Sequence, residues 1–268
     1  MKKEITVVPY AGLCNRLNSI TSAISYKKEN PDVNLRILWF KCSHCNCRFS
    51  DLFEPLTNTC LQVSELKSLV KDRPGTKFNL FIPKLLRFLW YDIEITPRHI
   101  SDRFDEYISG KNKIYVYKDN RFCMCSVSKS LSSFFKPTEE LCERIKEQIS
   151  SWKGRCVGLH IRRTDNVRSI EGSPLSYFYK VIEREIAIDP NTIFYLATDD
   201  LKVKQELILK YGSRIKYTDL CLERGSVKGM KDAVVDLWCL AHTDIIYGSK
   251  ASTYSAFASQ IFDKPLII

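Results

Sequence analysis

Two successive arginines stand out in the 268-residue chain, within the stretch "GLHIRRTDN" (158–166). The apolar run "CVGLHI" (156–161) reads as a buried strand, which puts Arg162 and Arg163 at its carboxyl end. Guanidinium groups fork onto phosphate oxygens through two parallel hydrogen bonds, so the position suits a diphosphate. Neighbouring strand residues point to opposite faces. One arginine is therefore expected to grip a leaving phosphate, and the other to pair with Asp165 or brace the loop. The same Arg-Arg-x-Asp string would also fit ordinary surface salt bridges.

A second loop, "YLATDD" (195–200), places Asp199 and Asp200 just before the helical "LKVKQELIL". Such a pair could hold a metal, act as a base or cap the helix. Capping is expected for one of them, because exposed N–H groups at a helix start favour carboxylates. A third stretch, "DAVVDLWCLAHTDIIYGSKASTYSAFA" (232–258), sets Asp236 on a helix and then Ser249, Ser252 and Thr253 in a loop of small residues. Small residues let backbone N–H groups approach an anion at the next helix start, though an N-cap cluster has the same look.

These residues need elements to position them. From Arg155 onward, strands are expected at 156–161, 192–197, 214–218, 244–248 and 265–268, with helices over 173–187, 201–211, 231–242 and 251–262. Short apolar runs alternating with helices predict a parallel, doubly wound α/β sheet. Such sheets bind ligands at the carboxyl ends of their strands, here the loops after Ile161, Ala197, Thr218 and Gly248. Towards the N-terminus, strands are expected at 4–8, 35–40 and in "KFNLF", "YDIEI" and "KIYVYK". Helices are expected from Gly12 to about Lys28, over 98–109 and over 138–151. The last would connect two domains, 1–150 and 151–268.

Lys and Arg number 41 against 31 Asp and Glu, a net charge of +10, and residues 1–150 hold 24 against 17. This suits an anionic partner: a nucleotide sugar, a membrane surface or nucleic acid. From charge alone, a solvated surface that keeps the protein in solution is the first expectation. No recognition-helix motif or paired aromatic platform supports nucleic acid. The first residues lack the pattern of a secretion signal, no run is long enough to span a bilayer, and the eleven cysteines are odd in number. A cytoplasmic protein with reduced thiols is expected, soluble or peripheral at the inner face of a membrane. "CSHCNC" (42–47) with "CMC" (123–125) could offer Cys42, Cys45, Cys47 and His44 to zinc, but reduced cysteines are the expectation. "KFNLFIPKLLRFLWYDIEI" (77–95) could dock on an anionic membrane carrying a lipid-linked glycan; a buried segment is expected instead.

Taken together, "HIRRTD" (160–165), "FYLATDD" (194–200) and "VDLWCLAHTDIIYGSKAST" (235–253), with "GLCNRLNSI" (12–20) before them, resemble the motifs of GDP-fucose-dependent fucosyltransferases. The resemblance is to the α1,6 enzymes and the rhizobial nodulation enzyme, and more loosely to the α1,2 and protein O-fucosyltransferases. It covers most of 155–262 and a short N-terminal piece. It implies an α/β, GT-B-type fold of two Rossmann-like domains facing a cleft, with the donor in the C-terminal one. By position, His160 would lie against guanine and ribose, Arg162 would neutralise the β-phosphate and Asp236 would accept guanine hydrogen bonds. Ser252 and Thr253 would touch the diphosphate, and Asn15 and Arg16 would lie near the sugar. The reaction implied is inverting transfer of fucose to a glycan hydroxyl, with no metal or other cofactor, and Glu171 as general base. The loop holding Glu171 is about one residue shorter than in the α1,6 enzymes, and Asn166 stands where they carry a basic residue. A silent GDP-sugar-binding module is the alternative.

Overall fold

In the computed structural model, which describes residues 2–66, 81–126, 130–164, 167–219, 221 and 223–268, the apolar runs form two wholly parallel sheets. The first is built from β1 (Glu4–Pro9), β2 (Asn34–Trp39), β3 (Val63–Glu65), β4 (Ile93–Ile95) and β5 (Lys113–Lys118), in the spatial order β3-β2-β1-β5-β4. Between them run α1 (Leu13–Glu29), α2 (Lys84–Trp90) and the short α3 (Phe104–Tyr107). The second holds β6 (Cys156–Ile161), β7 (Ile193–Thr198), β8 (Ile215–Lys216), β9 (Ile245–Gly248) and β10 (Leu266–Ile267), ordered β10-β9-β6-β7-β8. Its helices are α4 (Glu139–Ser150), α5 (Val167–Gly172), α6 (Leu175–Ile188), α7 (Leu201–Tyr211), α8 (Val227–Ala241) and α9 (Thr253–Ile261). Two Rossmann-like parallel sheets are thus present, as the motifs imply.

The chain divides into two compact units, Met1–Thr138 with Glu223–Met230, and Glu139–Leu222 with Lys231–Ile268. Helix α4, expected as a connector, packs into the second unit through buried Leu141 and Ile145 and an Arg144–Asp232 ion pair at 2.6 Å. The division thus lies one helix upstream of residue 150. Every residue of β6 is buried, which is why it reads as an unbroken apolar run and not an alternating one. Val157, Leu159 and Ile161 pack with Phe178, Ile182 and Leu207 from α6 and α7. On the opposite face Gly158 lets β6 lie close to its neighbours. A Cβ there would stand 2.6 Å from Thr243 Oγ1 and 2.8 Å from Leu240 Cδ1.

Three local expectations change. The helix expected over 98–109 is a 3-10 turn, Ser101–Arg103, running into the single turn of α3. The strand expected over 214–218 shrinks to two residues of β8. Helix α5 was not foreseen. Of the "KFNLF" strand, only Phe81 lies among the described residues.

Candidate functional site

Strands β6 and β9 are neighbours in the second sheet, with His160 in register with Gly248. From β6 the chain order runs one way through β7 and β8 and the other way through β9 and β10, so their carboxyl ends flank the point of reversal. Open α/β sheets bind ligands in the crevice at that point.

The two loops that leave these strands are tied together. The Arg162 backbone N–H donates to Ser249 Oγ at 3.0 Å, and that hydroxyl donates to the His160 carbonyl at 3.1 Å. Ser169 Oγ donates to the Lys250 carbonyl at 2.7 Å, and the Lys250 N–H donates to Ser173 Oγ at 2.8 Å. Helix α5 is thereby held against the "GSKAST" loop. Gly248 allows the close approach of α9, since a Cβ would meet Ser255 Oγ at 2.5 Å. Ala251 takes the left-handed backbone (φ 55°), which turns the chain into Ser252. Ser252 caps α9, accepting from the Tyr254 N–H at 3.4 Å, and Thr253 opens the helix half-buried.

The two arginines have different surroundings. Arg163 sends Nη1 to the Ile170 carbonyl at 3.2 Å and Nη2 to the Ser173 carbonyl at 2.6 Å, bracing the loop that carries α5. Arg162 keeps Nε 3.9 Å from Asp199 Oδ2, with its side chain 19% exposed. Asp199 also accepts the Arg163 N–H at 2.7 Å and the Thr164 hydroxyl at 2.7 Å, so one carboxylate fixes the turn after β6. Asp200 caps α7, accepting from Lys202 N–H at 2.8 Å and Val203 N–H at 3.3 Å. Asp165 lies outside the described residues.

Beneath the loops, His160, Tyr254, Asp236 and Tyr195 form a connected chain. The buried His160 ring stacks on Tyr254 with centroids 5.1 Å apart and planes at 28°. Tyr254 donates to Asp236 Oδ2 and Tyr195 to Oδ1, each at 2.8 Å. Burial pushes the Asp236 carboxyl up to about 6, against the two tyrosine hydrogen bonds that favour its charge. Burial, and then the charge of Arg162, push His160 down to about 4, so its ring is neutral at pH 7. His160 Nδ1 is buried and has no hydrogen-bond partner among the described residues. A buried nitrogen left in this state is costly, and an incoming polar ligand atom would relieve it.

The remaining candidates are placed differently. Glu171 is exposed on α5. Asn15 is half-buried on the first turn of α1, in the N-terminal unit. Arg16, expected near a sugar, is 0% exposed and cannot touch one as it stands. Its guanidinium donates to the carbonyls of Ala11 (2.9 Å) and Phe40 (2.7 Å) and to Cys42 Sγ (2.8 Å), and lies over Trp39, clamping the turns after β1 and β2. Cys42 and Cys45 form an isolated antiparallel bridge. Among the described residues no group of three or more His, Cys, Asp or Glu gathers as a metal site.

Sequence reasoning missed Tyr195 and Tyr254. The available signal was Tyr195 inside the apolar strand "IFYLAT", since a buried phenol needs a partner and Asp236 stands in the apolar run "AVVDLWCLA"; Tyr254, among Thr253, Ser255 and Ser259 on α9, gave no such signal.

No protein-family model and no curated protein sequence matches the chain. Solved structures do. A NodZ alpha-1,6-fucosyltransferase soaked with GDP-fucose is 14% identical, with a TM-score of 0.60 over 97% of this chain and 93% of that one. A mutant Arabidopsis thaliana FUT1 in complex with GDP is 12% identical, with a TM-score of 0.61 over 99% and 70%. POFUT1 in complex with GDP is 11% identical, with a TM-score of 0.53 over 99% and 98%. The fold is that of the fucosyltransferases. The two Rossmann-like parallel sheets that the motifs imply are therefore present, and the likeness in fold to these solved structures extends over nearly the whole chain.

Proposed function

We propose that the chain is an inverting glycosyltransferase that moves fucose from GDP-fucose to a hydroxyl of a glycan. One observation supports this most strongly: Arg162, Ser249 and the unpartnered His160 Nδ1 lie together at the carboxyl ends of β6 and β9, linked through Tyr254 to Asp236. We assign the donor to the C-terminal unit and the acceptor to the N-terminal one.

In this reading Arg162 stabilises the negative charge that grows on the β-phosphate as the anomeric carbon gains oxocarbenium character. A preorganised guanidinium does this without a metal. Arg163 and Asp199 hold the loop in shape, while Ser252, Thr253 and the first N–H groups of α9 receive the diphosphate. Asp236 accepts the guanine ring N–H and exocyclic amine on the lone pairs that its tyrosine bonds leave open. Glu171, exposed and carried on a helix pinned to the "GSKAST" loop, is the general base for the acceptor hydroxyl. All eleven cysteines are free thiols, which suits a reducing cytoplasm.

The test is a thermal-shift panel of GDP-fucose, GDP-mannose, UDP-sugars and ADP, followed by transfer assays with GDP-fucose. Stabilisation by the GDP compounds alone, with release of GDP when a glycan is present, is the expected result. Equal stabilisation by ADP overturns the guanine assignment. GDP binding without turnover on any glycan leaves a sugar-nucleotide binding module.

A further inference from the structure

The N-terminal unit contains the Cys-x-Cys spacing twice, in "CNC" (45–47) and "CMC" (123–125). In the first pair the sulfurs stand 3.7 Å apart, and both residues are 0% exposed. In the second they stand 3.1 Å apart, with the Cys123 S–H donating to Cys125 Sγ. Cys123 is buried, Cys125 is half-buried, and Met124 between them is 71% exposed. This second pair therefore meets solvent through Cys125.

Helix α1 holds the segment on both sides of the pair. Ser22 Oγ accepts the Phe122 and Cys123 N–H groups, each at 3.2 Å, and the Cys123 sulfur lies 3.1 Å from the same oxygen. Beyond Cys125, the Glu29 carboxylate accepts the Ser126 N–H at 2.9 Å and the Ser126 hydroxyl at 3.0 Å. The fold thus brings two thiols face to face on a backbone fixed before and after them, and about 1 Å of further approach closes them to a disulfide. Burial, then Cys123 and Glu29, raise the Cys125 thiol above its usual range. A dithiol resists oxidation where its thiolate is stabilised. Cys125 has no such stabilisation, so equilibrium favours the disulfide, while the small thiolate fraction makes it form slowly.

We propose that Cys123 and Cys125 are a thiol-oxidation site, closing reversibly to an intrachain disulfide with a low-molecular-weight disulfide such as oxidised glutathione as electron acceptor. The Cys125 thiolate attacks one sulfur of oxidised glutathione, forming a mixed disulfide and expelling one glutathione thiolate. The Cys123 thiolate then attacks the Cys125 sulfur, forming the Cys123–Cys125 bond and expelling the second. The protein sulfurs lose two electrons, and their two protons end on the two glutathione molecules. A ring closed over three residues takes little entropy from the unfolded chain, and Cys125 is open to solvent. The bond is therefore of the labile kind that follows the redox poise around it. The Cys45–Cys47 pair has the same spacing but stays reduced, because no oxidant reaches it. The site stands apart from the proposed transfer chemistry.

The test equilibrates the full folded chain with mixtures of reduced and oxidised glutathione, followed by acid quenching, alkylation and tryptic digestion. Trypsin releases the two pairs separately, in "FCMCSVSK" (122–129) and "CSHCNCR" (42–48). In excess oxidised glutathione, peptide 122–129 is expected to lose two hydrogens and escape alkylation, and to regain both on treatment with dithiothreitol. Peptide 42–48 is expected to stay fully alkylated. Cys123→Ser removes the second attacking sulfur, so the glutathione adduct on Cys125 should rise at least about tenfold over the unaltered chain. Cys125→Ser should leave Cys123 reduced. Three results overturn the inference: peptide 122–129 alkylated in every mixture, equal oxidation of peptide 42–48, or no gain of adduct in folded Cys123→Ser. Should Cys123→Ser fail to fold, the peptide from the unaltered chain decides alone.

Discussion

At Asp236 and His160 burial works on charge in opposite senses. Asp236 has its folded value raised from 3.8 to about 6, so the native state holds this proton more tightly than the unfolded chain. Its contribution to stability is greatest below about pH 4 and is lost as pH rises to about 6, a change of about 3 kcal/mol. His160 is lowered from 6.5 to about 4, so its contribution is greatest above 6.5 and is lost, by a similar amount of about 3 kcal/mol, as pH falls to about 4. The two slopes oppose each other over the same window. Urea denaturation of Asp236→Asn should therefore show stability rising with pH between 4 and 6 relative to the unaltered protein, and His160→Gln should show it falling. Parallel curves for all three proteins would mean that neither group titrates as its burial requires. The guanine role of Asp236 has its own test. The unaltered protein should prefer GDP over inosine diphosphate, which lacks the exocyclic amine, and Asp236→Asn should lose that preference. For Arg162→Ala, transfer should fall by about 10²- to 10³-fold with the fold intact, the range seen when one preorganised charge-stabilising donor is removed. Near-normal turnover by a folded variant would take Arg162 out of the mechanism.

At the scale of elements, the site depends on how closely α9 approaches the end of β9. Gly248→Ala would place a Cβ 2.5 Å from Ser255 Oγ and 2.7 Å from Ser255 Cβ. Relief requires α9 to shift, so the variant should lose about 1–3 kcal/mol of stability and bind GDP more weakly than that loss alone explains. Asp200→Ala removes the cap of α7 and should cost about 1 kcal/mol with GDP affinity unchanged, because its carboxylate is spent on Lys202 and Val203 N–H groups. Weaker GDP binding by Asp200→Ala would return that residue to the donor site. Much of this was legible beforehand for a physical reason. Strands buried on both faces, such as β6 and β7, must be written as apolar runs, and their carboxyl ends locate the ligand loops. The N-terminal unit was harder to read in part: β3 spans three residues, two of them exposed, and is too short to carry a period, whereas the equally short β4 was found within "YDIEI". The role of Arg16 was hidden for another reason. A cation beside a motif looks like a ligand contact, and only coordinates reveal that backbone carbonyls and Cys42 surround it.

At the scale of the whole molecule, nucleotide binding gives a readout that does not depend on chemistry. A ligand held by the native state alone stabilises it by about 2.7 kcal/mol at one hundred times its dissociation constant. We expect GDP to raise a single melting transition. Two transitions, with only one moved by GDP, would mean that the units unfold separately. The reason to expect one lies in the path of the chain. Residues Glu223–Met230 belong to the N-terminal unit although the segments on either side belong to the C-terminal one. Asn46 Nδ2 donates to the Gly225 carbonyl at 2.8 Å, and the return passes through the first turns of α8. The polypeptide therefore passes from one unit to the other three times. Exchange of donor halves between related genes by a single crossover would carry an orphaned eight-residue stretch into a foreign partner. Such a lineage is expected to vary by substitution within its halves more readily than by shuffling them.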